Sequence, residues 1–303
     1  MYSVEQVASN NPCGYEGLCY PHFRPALRNC GSDPNIVALG AMLGDQPIGL
    51  LLAEITEGKS RSAAIRSLAV AKAHRGMGVG SLLMREAECE FIARNCEAAE
   101  ISYMSDGANG PALESVLKRT GWGEPSLHGV FCRSDYAHLS QAPWVRRRWK
   151  FPPDVQMFKW SEITKTEREH IVRLGSEHNW FRACLNPFID EDKIEPRVSL
   201  GVRKNGEVIG WCIVCRADAK TLVCTSLFTK PELQLQGYGV AVLAKSILLT
   251  AETERDQFVW DVSPAHPDMV RFVYRRMAPY VLSIRTSKAA SKQLFRGGGC
   301  LVQ

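Results

Sequence analysis

The chain lacks any apolar run near the ~20 residues a membrane span requires; its longest, such as Ile48–Ala53, fall far short. The segment Met1–Asn11 carries no basic start followed by an apolar run, so no secretory signal is read and a cytoplasmic location is expected. No lysine follows Gly80 or Ala241, which excludes a P-loop. Gly76-Met-Gly78-Val-Gly80 is one residue short of the dinucleotide fingerprint, which excludes that reading too. A metal site is equally unsupported. Cys212 and Cys215 have zinc-knuckle spacing, but they sit in a strand-like apolar run whose successive residues face opposite sides. No second Cys or His pair completes four ligands, so buried thiols and no metal are expected. The net charge is small as well, at +5. The one basic run, Arg146–Lys150, precedes Pro152-Pro153 and reads as a solvated linker, with neither nucleic acid nor membrane as a partner.

What is present suits a soluble globular protein of two domains: 303 residues, 45% hydrophobic and 23% charged. Self-similarity sets the organisation. An apolar stretch, Ala63–Val70, runs through Arg75-Gly-Met-Gly-Val-Gly80 into a helical pattern at Ser81–Ala93. Downstream, Leu222–Thr229 leads through Gln236-Gly-Tyr-Gly-Val-Ala241 into Val242–Glu254. A strand and a helix follow each loop: Glu100–Met104 and Asn109–Arg119 in the first copy, Gln257–Val262 and His266–Arg276 in the second. The copies lie 161 positions apart when Gln236 is matched to Arg75, and 157 apart when Ala278 is matched to Gly121.

A hairpin precedes each loop. Ile36–Met42 and Ile48–Ile55 flank Gly44-Asp45; Arg197–Val202 and Val208–Cys215 flank Asn205-Gly206, a strong turn signal. Helices are expected before both hairpins, around Tyr15–Arg28 and over Lys165–Glu177. The proline-rich stretch Gln141–Pro153 marks the seam. The expected fold is α/β (α+β): two tandem domains, 1–145 and 151–303, each a mixed, mostly antiparallel sheet flanked by helices.

A glycine-rich turn between a strand and a helix N-terminus is an anion site, because backbone N–H groups and the helix dipole converge there. The pattern Gln/Arg-x-x-Gly-x-Gly/Ala resembles the acyl-CoA signature of the GNAT superfamily of N-acetyltransferases. Leu68-Ala-Val70 with Arg75–Gly80, followed by Asn109 and by Leu117-Lys-Arg-Thr-Gly121-Trp122, is similar to two of its motifs in order. The resemblance covers nearly the whole chain, twice. It implies acetyl-CoA or a longer acyl-CoA as co-substrate, which a mildly basic surface suits. In the first copy it assigns cofactor contacts to Leu68, Val70, Arg75, Gly76, Met77, Gly78, Val79, Gly80, Ser81 and Asn109. In the second it assigns them to Leu227, Thr229, Gln236, Gly237, Tyr238, Gly239, Val240 and Ala241.

The resemblance further implies direct attack of an amine on the thioester, with a strand N–H polarising the carbonyl, a base, and a tyrosine acid four residues before the terminal Gly of the later motif. The first copy has Leu117 at that position, and the second has Tyr274. The second half is therefore expected to carry the chemistry, an arrangement similar to mycothiol synthase. Asp261 and His266 are its base candidates, and Asp106 is the weaker counterpart in the first. Each has a plainer alternative: Tyr274 a half-buried core aromatic, Asp261 a strand-end carboxylate, His266 a residue at a helix start. The expected activity is acyl transfer to a small-molecule or peptide amine. A fatty-acyl transferase acting on a peptide amine, or a CoA-binding sensor without turnover, are the competing readings.

Overall fold

A computed structural model describes residues 1–7, 13–58, 60–107, 109–178 and 180–295; positions 8–11 of the N-terminal segment considered above lie outside them. In chain order the first elements are β1 (Tyr2–Gln6), α1 (Arg24–Arg28), β2 (Ile36–Leu43), β3 (Gln46–Thr56), β4 (Ser62–Val70) and α2 (Val79–Ala93). Then come β5 (Ala98–Met104), α3 (Gly110–Arg119), β6 (Ser126–Asp135), α4 (Tyr136–Leu139), α5 (Pro143–Arg146), β7 (Val155–Lys159) and α6 (Lys165–His178). The chain continues through β8 (Leu200–Lys204), β9 (Glu207–Arg216), β10 (Thr221–Thr229), α7 (Tyr238–Leu249), β11 (Gln257–Val262), α8 (Pro267–Phe272) and β12 (Ser283–Gln293).

These elements form two compact units, and each takes a strand from the other half of the sequence. One unit comprises residues 1–128 and 286–303, the other 129–285. The division therefore differs from the contiguous segments 1–145 and 151–303. In the first unit β5 is flanked by β12, which runs antiparallel to it from Ser287 opposite Met104 to Gln293 opposite Ala98. In the second, β11 is flanked by β6, antiparallel from Gln257 opposite Asp135 to Val262 opposite Val130. Alternation of side chains says which face of a strand is buried, not which sheet edge it completes. That is why the exchange is invisible in the sequence.

The first unit's strands run β1-β2-β3-β4-β5-β12, all antiparallel except the parallel β4–β5 pair. β3 is apolar almost throughout because both its faces are covered. Ile48, Leu51, Ala53 and Ile55 pack under α2 with Leu83, Ala87 and Phe91. Leu50 and Leu52 pack on the other face with Tyr15 and Leu27.

The second unit repeats the order as β7-β8-β9-β10-β11-β6, with β10–β11 parallel. Asn205 and Gly206 both take positive φ (50° and 81°), as the tight β8–β9 turn requires. Cys212 lies in the cluster beneath α7, whereas Cys215 lies in the aromatic cluster on the opposite face. The basic stretch at the seam is not a tether. Residues 141–153 belong wholly to this unit. Trp144 donates to the Arg276 carbonyl at 3.2 Å and meets Phe272 edge-on, and Phe151 lies 5.8 Å from the Tyr238 ring.

Candidate active site

In the first unit the turn after β4 is built to leave backbone exposed. Gly76 and Gly78 adopt left-handed φ of 79° and 87°, and Gly78 is the N-cap of α2. A Cβ at either position would meet nothing within 4 Å. The space in front of this helix N-terminus is therefore open, and its amides are free to receive an anion. A cavity of about 340 Å³ adjoins it, lined by Gly78, Ser81, Leu82, Arg85 and Arg119. The Ser81 hydroxyl is buried without a partner, and Arg85 forms no hydrogen bond or ion pair among the described residues.

The remaining residues singled out in this copy hold the turn in place. Arg75 donates through Nε to the Val70 carbonyl at 2.9 Å and through its terminal nitrogen to Asn109 Oδ1 at 3.3 Å. It braces the loop against the start of α3. Leu68 and Val70 pack on the core beneath α2, and Val79 is buried within it. Gly80 faces Val116 of α3, which a Cβ would meet at 3.4 Å. Met77 is exposed, and its sulfur accepts from the Tyr2 hydroxyl. Leu117 is buried carbon.

Above the turn, the sheet opens. β4 pairs with β5 only from Ser62 opposite Ala98 to Ile65 opposite Ile101. Beyond that a bulge at Arg66 shifts the β3–β4 register, which bends a strand and re-aims its side chains. β10 does the same in the second unit. It pairs with β11 from Thr221 to Cys224 and bulges at Thr225.

The true register between the copies is 159 positions. Strand starts 62 and 221, helix starts 79 and 238, and strand starts 98 and 257 all differ by that number. The second loop is therefore Gln234-Leu-Gln-Gly237-Tyr-Gly239, two residues earlier than the glycines alone suggested. Gly237 is the N-cap of α7 at φ 86°, matching Gly78. Leu235 takes the left-handed position of Gly76 at φ 67°, with its side chain 97% exposed. A leucine where a glycine is expected hides the match. Gly239 matches Gly80, and a Cβ there would meet Thr229 Oγ1 at 2.8 Å. Ala241 is buried in the body of α7, as is Tyr238.

The two cradles also differ in what lies beside the cap glycine. A Cβ on Gly237 would meet the Trp149 ring at 3.0 Å. That indole donates to the Trp144 carbonyl at 3.2 Å, and the Arg147 guanidinium sits over its ring at 4.7 Å. The space left open beside Gly78 is filled beside Gly237. Leu227 packs on the core beneath α7, Gln236 is exposed and Val240 half-buried.

The candidate acid and bases of the second unit lie on β11, at the start of α8 and in the turn after it. Tyr274 lies in a π turn, Val273–Met277, and is 47% exposed. Asp261 is exposed on β11 opposite Phe131. His266 is the N-cap of α8, with Nε2 buried and unpartnered. Burial, and then the nearby Arg182 charge, hold its imidazole below the usual histidine range. No hydrogen bond or ion pair joins these three among the described residues. On the face away from α7, the segment after α6 is packed shut. Trp180 and Phe181 meet Phe228 edge-on at 5.1 and 5.8 Å, and Ser226 Oγ donates to the Leu185 carbonyl at 2.7 Å.

Arg85 and Arg119 escaped the sequence reading. The signal for Arg85 is its place on α2 one turn beyond Ser81, where it faces whatever the loop holds. Two larger-scale features stay neutral: no helix among the described residues is long and apolar enough to cross a membrane, and no cluster of three or more His, Cys, Asp and Glu there is disposed to hold a metal.

The pattern of the acetyltransferase (GNAT) family matches residues 6–114 and 156–277, once in each copy. No curated protein matches the sequence. Among solved structures, a tandem GNAT protein from the clavulanic acid biosynthesis pathway is 13% identical, with a TM-score of 0.60 over 98% of this chain and 100% of its own. A GCN5-related N-acetyltransferase from Sphaerobacter thermophilus is 12% identical, with a TM-score of 0.61 over 98% and 97%. The GCN5-related glucosamine N-acetyltransferase region of a fungal multi-domain GH3 β-N-acetylglucosaminidase is 12% identical, with a TM-score of 0.61 over 96% of this chain and 38% of that one. At such identities the likeness concerns the fold.

Proposed function

The chain belongs to the GNAT acetyltransferase family as a tandem member, and from that premise we propose that it transfers an acyl group, acetyl in the first instance, from coenzyme A to an amine. The observation that carries this reading is the open cradle of the first unit: two left-handed glycines at the α2 N-terminus with nothing within 4 Å. Arg85, unpaired among the described residues, and Arg119, which also donates to Ser115, stand beside it. Backbone N–H groups of the Gly78–Ser81 turn hold the pyrophosphate, the Ser81 hydroxyl supplies a further donor, and the two arginines meet the remaining phosphate charge.

Acyl-CoA supplies an acyl group activated as a thioester. The amine's lone pair forms the new C–N bond as the C–S bond breaks; the electron pair leaves on sulfur, and the nitrogen gives up one proton to water. Leu117 cannot protonate that sulfur. A thiol of ordinary pKa near 8.5 leaves as thiolate at pH 7 for only about 2 kcal/mol, so an acid is helpful rather than obligatory. The acceptor class is an amine on a small molecule or a peptide; a longer acyl chain is an extension of the same reading.

A second reading keeps turnover in the second unit, with Tyr274 as acid and Asp261 or His266 as base. It is favoured by the buried, unpartnered His266 Nε2, and opposed by the Trp149 ring against Gly237. Titration calorimetry of the full chain with acetyl-CoA tests the main reading. Micromolar binding that Gly78→Glu removes supports it; undiminished binding in that variant defeats it.

A further inference from the structure

β4 carries a hydroxyl whose partner is missing. Ser67 follows the Arg66 bulge and pairs with Leu52, on the face away from α2. It is 4% exposed, and its Oγ is buried without a hydrogen-bond partner among the described residues. Leaving such a group unsatisfied costs about 1–3 kcal/mol, and native folds rarely keep one without a reason.

The second unit shows what a serine at this place is shaped to do. Ser226 lies 159 positions on, after the Thr225 bulge, paired with Ile213 on the corresponding face. Its hydroxyl donates to the Leu185 carbonyl oxygen at 2.7 Å and accepts from the Trp211 indole at 2.8 Å. Both partners are missing in the first unit. Ile48 and Ile209 occupy equal places, since each carbonyl accepts the N–H of the first residue after β4 or β10. Leu50 therefore stands where Trp211 stands, with no proton to give. One serine is satisfied by a carbonyl from its own chain, and the other, two residues past the last β4–β5 pair, has nothing to bond among the described residues.

We propose that the Ser67 hydroxyl donates a hydrogen bond to the thioester carbonyl oxygen of acyl-CoA held by the first unit, as Ser226 donates to the Leu185 carbonyl in the second. The assignment rests on the reading that the first unit binds acyl-CoA. A side-chain donor here adds to a strand N–H, and it strengthens as the carbonyl oxygen gains charge under attack. It also gives the opening a preference for ligands that carry a carbonyl at that point.

Coenzyme A and acetyl-CoA differ by that carbonyl and its methyl, so they are the probes. Dissociation constants of both are measured by calorimetry on the full chain, wild type and Ser67→Ala, together with melting temperature without ligand. The expected result is about fivefold weaker acetyl-CoA binding in Ser67→Ala, coenzyme A unchanged, and a melting temperature no lower than wild type. A merely structural serine would instead lower the melting temperature and leave the two ligands in the same ratio, which overturns the proposal. A wild-type chain that binds neither ligand overturns the underlying reading and this one with it. Should Ser67→Ala fail to fold, Ser67→Cys, close in volume and a poor donor, is held to the same expectation.

Discussion

The same loop occurs twice in this chain, and the two copies have different surroundings. Gly78 and Gly237 have nearly identical backbone angles at nearly identical helix starts. Beside one lies open space, and beside the other lies the ring of Trp149. The sheet openings differ in the same sense. Ser67 is without a partner among the described residues, while Ser226 is engaged by Leu185 and Trp211 under a packed aromatic segment. The first unit keeps vacant the places where the second has satisfied its own groups. Duplication supplies two sites, and filling one with side chains turns ligand-binding surface into core.

The sharpest way to break this comparison is to make the same change in both loops. Gly78→Glu places a carboxylate, and a side chain at left-handed φ, against the phosphate site. It should weaken acetyl-CoA binding by at least about a hundredfold, since charge repulsion adds to lost amide donors. Gly237→Glu should leave the dissociation constant within about twofold, although it lowers the melting temperature by displacing Trp149. Calorimetry and thermal melting on the two variants decide it. Equal losses of affinity would show that both cradles bind.

Next in size is the release of the covering ring. Wild type should bind one acetyl-CoA per chain, and Trp149→Ala should raise the stoichiometry toward two, with a weaker second site. The variant loses the indole's hydrogen bond to the Trp144 carbonyl and its stacking under the Arg147 guanidinium, so some stability is lost as well, about 1–3 kcal/mol. A wild-type stoichiometry of two would mean that Trp149 yields readily or does not obstruct.

Much of this could be read in the sequence, and what escaped it has identifiable physical causes. The strands, both hairpins and the helix after each loop follow from apolar periodicity and from turn residues such as Asn205-Gly206, which are local signals. The open first cradle was legible because three glycines there mark a backbone meant to be approached. The second was misplaced by two residues because Leu235 adopts the conformation Gly76 has in the first, a strain that glycine counting cannot see. The cover on it comes from Trp149, 88 positions before Gly237 and inside a basic run that reads as solvated. The exchange of β6 and β12 and the burial of Ser67 are likewise decided by tertiary neighbours. Arg85 and Arg119 acquire meaning only once the helices place them beside the loop.

Those two arginines give a smaller effect that sharpens the comparison. Arg85→Ala and Arg119→Ala should each weaken acetyl-CoA about three- to tenfold, with the loss shrinking at high salt because exposed charges are screened. Arg119 also donates to Ser115 at 2.8 Å, so its variant is read beside a melting curve. Binding that ignores both substitutions at low ionic strength would remove the arginines from the site.

The smallest expected effect bears on the largest question, which unit turns over. Tyr274 is the residue the family resemblance favours as acid, yet it is 47% exposed and makes no hydrogen bond to Asp261 or His266. The loop of its own unit is the covered one. Phenylalanine at 274 keeps the ring and removes only the hydroxyl, so folding should be unaffected. A positioned acid contributes about 10²–10⁴-fold to a proton-transfer step. With turnover in the first unit, Tyr274→Phe should retain kcat within about threefold of wild type, measured as thiol release from acetyl-CoA with an amine acceptor. Its pH profile should also be unchanged, because the hydroxyl takes no part. A loss of a hundredfold or more at unaltered acetyl-CoA affinity would return the chemistry to the second unit. Trp149 would then be a cover that moves aside for substrate, and the first unit a site that binds without turning over.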